Sequence, residues 1–223
     1  MSAAKGIRPA GIDNVYFIRV DDEELLSTLT QFPEAGSITY DDRAYRPWSP
    51  ATSKLASMIV KGMRVPLGRY STVLYLGAAS GTTVTHVADI AIDGIVYAVE
   101  FAPRPARDLL KAVENRVNVV PIIADARRPE QYPPFIDKVD IIYQDVAQPG
   151  QADIAIANSN KYLKSSGTLI MAIKAKSISA TEIVGDIFRR ELKKLETDFE
   201  ILDKSSLEPF HHGHMAVIAK YKK

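Results

Sequence analysis

Val73-Leu-Tyr-Leu-Gly-Ala-Ala-Ser-Gly-Thr-Thr-Val84 decides the fold. Its opening run, begun by Thr72, is apolar, aromatic and β-branched, the composition of a buried strand. The run stops at Gly77 and passes through small residues to Gly81, where backbone must turn sharply or approach a ligand closely. Val84, Val87, Ala88, Ile90 and Ala91 then recur at helical spacing. Strand, glycine turn and helix in that order predict the first unit of a nucleotide-binding α/β sheet.

Outward from this unit the alternation continues. Strands are predicted at 95–99, 117–123, 139–144 and 168–173, with helices at 84–92, 105–114 and 151–163 between them. Such alternation predicts a parallel sheet covered by helices on both faces. A helix from about Thr181 to Leu195 is followed by two strand candidates, 199–203 and 215–221, joined by a short connection. A closing antiparallel hairpin belongs to the methyltransferase variant of the Rossmann-like sheet, not to the dehydrogenase one.

Residues 1–50 read differently and are expected to form a small β-rich N-terminal domain with a connector, leaving 51–223 for the larger domain. Asn14–Val20 and Gly36–Tyr40 are strand candidates, and Glu23–Gln31 reads as a short helix or turn. The two prolines of Asp41–Pro50 predict a rigid connector, with Trp48 packing it. Thr52 or Ser53 is expected to cap a helix from Lys54 to about Lys61.

Composition narrows the chemistry. With no cysteine, thiolate metal sites, disulfides and a Cys nucleophile are excluded, and no metal is expected. No apolar run approaches the ~18 residues that span a bilayer, and the first residues lack a secretory core, so a cytoplasmic protein without membrane partners is expected. The 28 basic residues are balanced by 27 acidic ones, which predicts weak intrinsic affinity for nucleic acid. Arg104, Arg107, Arg127 and Arg128 follow the second and third strands of the alternation and are expected to form a local basic patch on the ligand side.

In open α/β sheets ligands bind beyond the carboxyl ends of the strands. The predicted strands run into Gly77, Glu100, Asp125, Asp145 and Lys174 at those ends. Each charged group has a plain structural alternative, a solvated strand end or a helix cap. Four together around a glycine turn point to a site, because burying an unpaired charge is costly. Gly77-Ala-Ala-Ser-Gly81 is not G-x-G-x-x-G, and no P-loop occurs, so the phosphate cradle of a dinucleotide or triphosphate is missing. None of the ten tyrosines has a lysine four residues on, which disfavours a short-chain oxidoreductase. S-adenosylmethionine carries no phosphate; it needs close backbone, here at Gly77 and Ala79, a ribose acid (Glu100) and an acceptor for its base (Asp125).

The chain closely resembles the fibrillarin family of S-adenosylmethionine-dependent RNA 2′-O-methyltransferases. The resemblance runs through Ser53-Lys-Leu-Ala56, the 73–84 stretch, Val96-Tyr-Ala-Val-Glu-Phe101, Asp125-Ala-Arg127, Asp145-Val-Ala-Gln-Pro149, Ile173-Lys-Ala-Lys176, Leu207-Glu-Pro-Phe210 and His214-Met-Ala-Val217. The glycine- and arginine-rich tail of eukaryotic fibrillarin is missing, which implies the archaeal form without nucleolar targeting.

The resemblance implies cofactor contacts from Thr82, Thr83, Glu100, Phe101, Asp125, Ala126, Asp145 and Gln148, and a catalytic constellation of Lys54, Asp145, Lys174 and His214. It further implies work inside a box C/D ribonucleoprotein on ribosomal RNA and, as a second substrate, transfer RNA. There a box C/D guide RNA pairs with the target, and a Nop-family scaffold protein holds the enzyme beside a kink-turn-binding protein. The alternatives are a non-catalytic structural subunit of the same particle and a protein glutamine methyltransferase.

Overall fold

Thr72–Leu76 forms β6, an interior strand of a seven-stranded sheet, in the computed structural model that describes residues 4–223 of the chain. Around it lie β7 (Ile95–Glu100), β8 (Val119–Ile123), β9 (Val139–Gln144), β10 (Leu163–Lys174), β11 (Phe199–Ser206) and β12 (His214–Tyr221). Their spatial order is β11-β12-β10-β9-β6-β7-β8. β6 pairs in parallel with both β7 and β9, so the order reverses beside it. β12 runs antiparallel between β10 and β11, as the sequence predicted for the closing hairpin.

Two-residue alternation along the strands divides the core. Val73, Tyr75, Ile141 and Tyr143 point to one face, where α1 (Lys54–Val60) and α2 (Thr82–Ile90) cover them. Leu74, Leu76, Ile142 and Met171 point to the other, under α4 (Gln151–Tyr162) and α6 (Val184–Leu195). α3 (Pro103–Val113) connects β7 to β8, and the four-residue α5 (Ala175–Ile178) follows β10 directly. Each fully buried Leu or Ile contributes about 2 kcal/mol of transfer free energy.

The N-terminal segment forms a separate five-stranded antiparallel sheet of order β1-β2-β3-β5-β4. Its strands are β1 (Ala4–Pro9), β2 (Val15–Val20), β3 (Glu23–Thr30), β4 (Ile38–Tyr40) and β5 (Arg43–Pro47). Two expectations are corrected. The 23–31 stretch is a strand, not a helix or turn: Leu26, Thr28 and Thr30 are buried along one face while residues 23–28 pair with β2. Half of the connector is also a strand, because Arg43–Pro47 pairs with both β3 and β4.

The two sheets share one core. Val15, Leu26 and Trp48 belong to the cluster that includes α1 and α2, and Trp48 stacks on His86 with ring centroids 4.7 Å apart. Beside this stack the buried carboxylate of Asp89 on α2 receives Arg46 at 2.8 Å and Arg116 at 2.6 Å, with Thr28 and Thr30 donating as well. Five polar side chains thus meet where β3, β5, α2 and the α3–β8 connection come together.

Candidate active site

A cleft of about 250 Å³ opens at the carboxyl ends of β6 to β10, beside the point where strand order reverses. Its walls come from five successive strand ends: Gly77, Glu100, Ala126, Asp145 and Lys174 are among the lining residues. Val99, Ala124, Val146 and Ala147 make much of the apolar part, none of them among the predicted cofactor contacts.

The glycine turn is shaped by what lies against it. Gly77 has a positive φ of 83°, and a Cβ there would come within 3.0 Å of the Asp145 carbonyl oxygen. Gly81, also at positive φ, would press a Cβ on Leu109 at 3.0 Å, so α2 packs on α3 only without a side chain there. The Gly77 and Ala78 N–H groups both donate to the Val99 carbonyl, Ala79 N–H to Glu100 and Gly81 N–H to the Ala78 carbonyl. Four of the five N–H groups of the 77–81 turn are therefore spent inside the chain.

Glu100 is 8% exposed and accepts three backbone N–H bonds, from Ala79 at 2.9 Å, Phe101 at 3.0 Å and Ala102 at 2.8 Å. A carboxylate has about four lone-pair sites, so Glu100 ties β7 to the glycine turn and keeps about one site for a ligand hydroxyl. Phe101 stands exposed at the edge of the cleft. The Oε1 atom of Gln148, another lining residue, is buried without a hydrogen-bond partner. Gly77, Ala79, Glu100, Phe101, Ala126, Asp145 and Gln148 are thus brought to one cavity.

Three predicted contacts stand apart from its walls. Asp125 lies between the lining residues Ala124 and Ala126 but is held bidentately by Arg127, whose hydrogen bonds keep its carboxyl below the usual carboxylate range. Thr82 is exposed at the start of α2. Thr83 donates its hydroxyl to Ser53 at 3.0 Å. That bond fixes α2 to the cap of α1, since the same Ser53 oxygen accepts the Ala56 N–H.

At the rim Asp145 sits between two ammonium groups. Lys54 Nζ lies 3.2 Å from Oδ2 and Lys174 Nζ 2.8 Å from Oδ1, and all three side chains are less than one-fifth exposed. Lys174 also donates to the Asp145 carbonyl at 2.7 Å. Lys54 occupies the first turn of α1, where the helix dipole disfavours a cation, and Asp145 offsets that cost. Burial pulls the Lys174 ammonium below the usual lysine range, against the opposing pull of Asp145. His214 faces Lys174 across the β10–β12 pair, and its Nδ1 donates to the His212 carbonyl at 2.9 Å, leaving Nε2 as an acceptor. Burial, with both lysines nearby, lowers its pKa and keeps the ring neutral.

Sequence reasoning missed His211. Its ring is 5.7 Å from that of His214, and burial beside Lys54 lowers its pKa too. The His-His-Gly-His run hinted at it, but nothing local said which ring would turn inward.

A mixed seven-stranded sheet in this order, with a mostly apolar cleft at its switch point, defines the Rossmann-like methyltransferase class. Within that class the chain belongs to the fibrillarin family, whose profile matches residues 7–223. A fibrillarin-like rRNA/tRNA 2′-O-methyltransferase of Methanosarcina mazei is 46% identical, covering 91% of this chain and 93% of its own. Aeropyrum pernix fibrillarin, solved with natively bound S-adenosyl-L-methionine, superposes with a TM-score of 0.89 at 38% identity over 98% of this chain and all of that one. A fibrillarin in complex with Nop5p superposes with a TM-score of 0.86 at 43% identity, covering 94% of this chain and 98% of that one. No helix among the described residues is long and apolar enough to cross a membrane.

Proposed function

We propose that this chain binds S-adenosylmethionine in the cleft and methylates ribose 2′-oxygens of ribosomal and transfer RNA. In this reading it is the catalytic subunit of a box C/D ribonucleoprotein in the archaeal cytoplasm. A guide RNA selects the nucleotide, and a Nop-family scaffold and a kink-turn-binding protein place the enzyme over it. The observation that carries the chemistry is Asp145, pinned between Lys54 and Lys174 at the mouth of the cleft.

The residues present fit the cofactor. Glu100 retains an acceptor site for a ribose hydroxyl, and the unpartnered Gln148 Oε1 awaits a donor. Gly77 and Ala79 bring bare backbone to the cavity, Phe101 offers a ring face, and Ala124 and Ala126 close the end beyond β8, with Asp125 between them to accept from the base once Arg127 releases it. Thr82 and Thr83 supply the start of α2 beneath the turn. When bound, the cofactor supplies an already electrophilic sulfonium methyl. The chain's task is then to align the acceptor and remove its proton.

Asp145 and Lys174 act as one hydrogen-bonded pair that orients and deprotonates the 2′-hydroxyl. Two ammoniums around one carboxylate leave a net positive charge where the oxyanion develops. Lys54 and His214 hold neighbouring phosphate or ribose groups, Lys54 as a cation and His214 through its free Nε2. The near-neutral net charge of +1 fits an enzyme that relies on partners to bring its RNA. The test is label transfer from S-adenosylmethionine to a target RNA, by the protein alone and with guide RNA and both partner proteins. Transfer confined to the complete mixture is expected; efficient transfer by the protein alone contradicts the dependence on partners.

A further inference from the structure

The backbone of Lys174 is closed by a side chain instead of by a strand. β9 and β10 pair up to Gln144↔Met171, so on that side Lys174 lies beyond the last strand partner. Immediately after it the chain turns into α5. The gap is filled by the amide of Gln151, the first residue of α4 and 0% exposed. Its Oε1 accepts the Lys174 N–H at 2.9 Å, and its Nε2 donates to the Lys174 carbonyl at 3.2 Å. One donor and one acceptor on the same amide reproduce what a neighbouring peptide would offer.

The clamp is itself braced. Gln144, also 0% exposed, donates to the Gln151 carbonyl at 2.8 Å. The buried Glu191 accepts the next N–H, that of Ala152, at 2.9 Å. On the far side of Lys174 the register continues to His214. We propose that Gln151 is the positioning residue that holds the Lys174 ammonium over Asp145 during methyl transfer.

The inference rests on the catalytic reading of Lys174 given above and concerns how that group is held. Gln151 touches Lys174 only through its backbone. Its removal frees the strand end, lets the ammonium swing from the 2.7 Å contact with the Asp145 carbonyl, and returns it toward water. Misplacement of a reacting group by about 1 Å costs roughly 100-fold in rate. A glutamate at this position keeps the acceptor for the Lys174 N–H but loses the donor to the Lys174 carbonyl and sets an anion against it.

The experiment compares wild type, Gln151→Met and Gln151→Glu as full-length proteins. It records S-adenosylmethionine affinity, kcat in the assembled complex, and the titration of Lys174 by its side-chain NMR shift. For Gln151→Met, cofactor affinity within about threefold of wild type and kcat lower by roughly 100-fold are expected. In both variants Lys174 should titrate at higher pH than in wild type. Unchanged kcat in Gln151→Met, or an unchanged Lys174 midpoint in Gln151→Glu, overturns the proposal. If Gln151→Met fails to fold, Gln151→Glu decides. If wild type itself transfers no methyl group, the catalytic reading has failed, and the NMR midpoints alone decide whether Gln151 positions Lys174.

Discussion

Lys174 Nζ lies 2.8 Å from Asp145 Oδ1 and donates to the Asp145 carbonyl at 2.7 Å, so one ammonium engages both the side chain and the backbone of the same residue. The contact joins the ends of two neighbouring parallel strands, β9 and β10.

Asp145→Ala and Lys174→Ala should each slow transfer by roughly 100- to 10,000-fold, the range for a lost positioned acid or base. Their effects on binding should differ. Asp145→Ala leaves Lys54 and Lys174 facing a cationic sulfonium, whereas Lys174→Ala removes one of those charges. Calorimetry should therefore show weaker S-adenosylmethionine binding for Asp145→Ala than for Lys174→Ala. A pH–rate profile unchanged by either substitution would sink the joint role.

Gly77→Ala should destabilise the protein by about 1–3 kcal/mol and weaken cofactor binding. The new methyl meets the Asp145 carbonyl at 3.0 Å on a backbone at positive φ, so relief must come from moving Asp145. Thermal unfolding and a binding titration measure the two effects. A variant as stable as wild type with full affinity would show that the turn has room.

Asp89→Ala should cost about 3–5 kcal/mol, because it strands Arg116 as an uncompensated buried cation and leaves Arg46 only the more distant, exposed Glu34. Denaturant unfolding checks this. A loss under about 1 kcal/mol would mean that the two sheets do not depend on this ion cluster.

His86 makes stability acid-sensitive. Burial, with Arg46 and Arg116 nearby, lowers its pKa from 6.5 to about 2. The folded form therefore stays neutral while the unfolded form takes up a proton below pH 6.5, so stability present above that pH is lost as pH falls toward about 2. The slope approaches about 1.4 kcal/mol per pH unit for this one group. Urea unfolding at pH 7.5 and 5.5 should show wild type losing about 1.4 kcal/mol more than His86→Phe, which keeps a ring against Trp48. Equal losses in the two proteins would contradict the buried neutral state.

Sequence periodicity located the large sheet because its signals are local. Thr72–Leu76 and Val139–Gln144 have the predicted bounds, and the chemistry of a parallel sheet concentrates at strand ends that can be read one by one. Glu23–Thr30 misled because Glu-Glu-Leu-Leu favours a helix locally, and only pairing with Val15–Val20 makes it a strand. Arg46, Asp89 and Arg116 meet from separate elements, which no spacing announces. Gln151 looked like an ordinary first helical residue, since its partner lies 23 residues away across a crossover.

The most direct test is to change only the guide. The protein, both partner proteins and radiolabelled S-adenosylmethionine would be incubated with one target RNA and each of two guides complementary to different segments, and the methylated position mapped. One 2′-O-methyl group that moves with the guide, and disappears with Asp145→Ala, is the predicted result. A methyl group on a base, at the same nucleotide with both guides, or made without any guide would contradict guided ribose methylation.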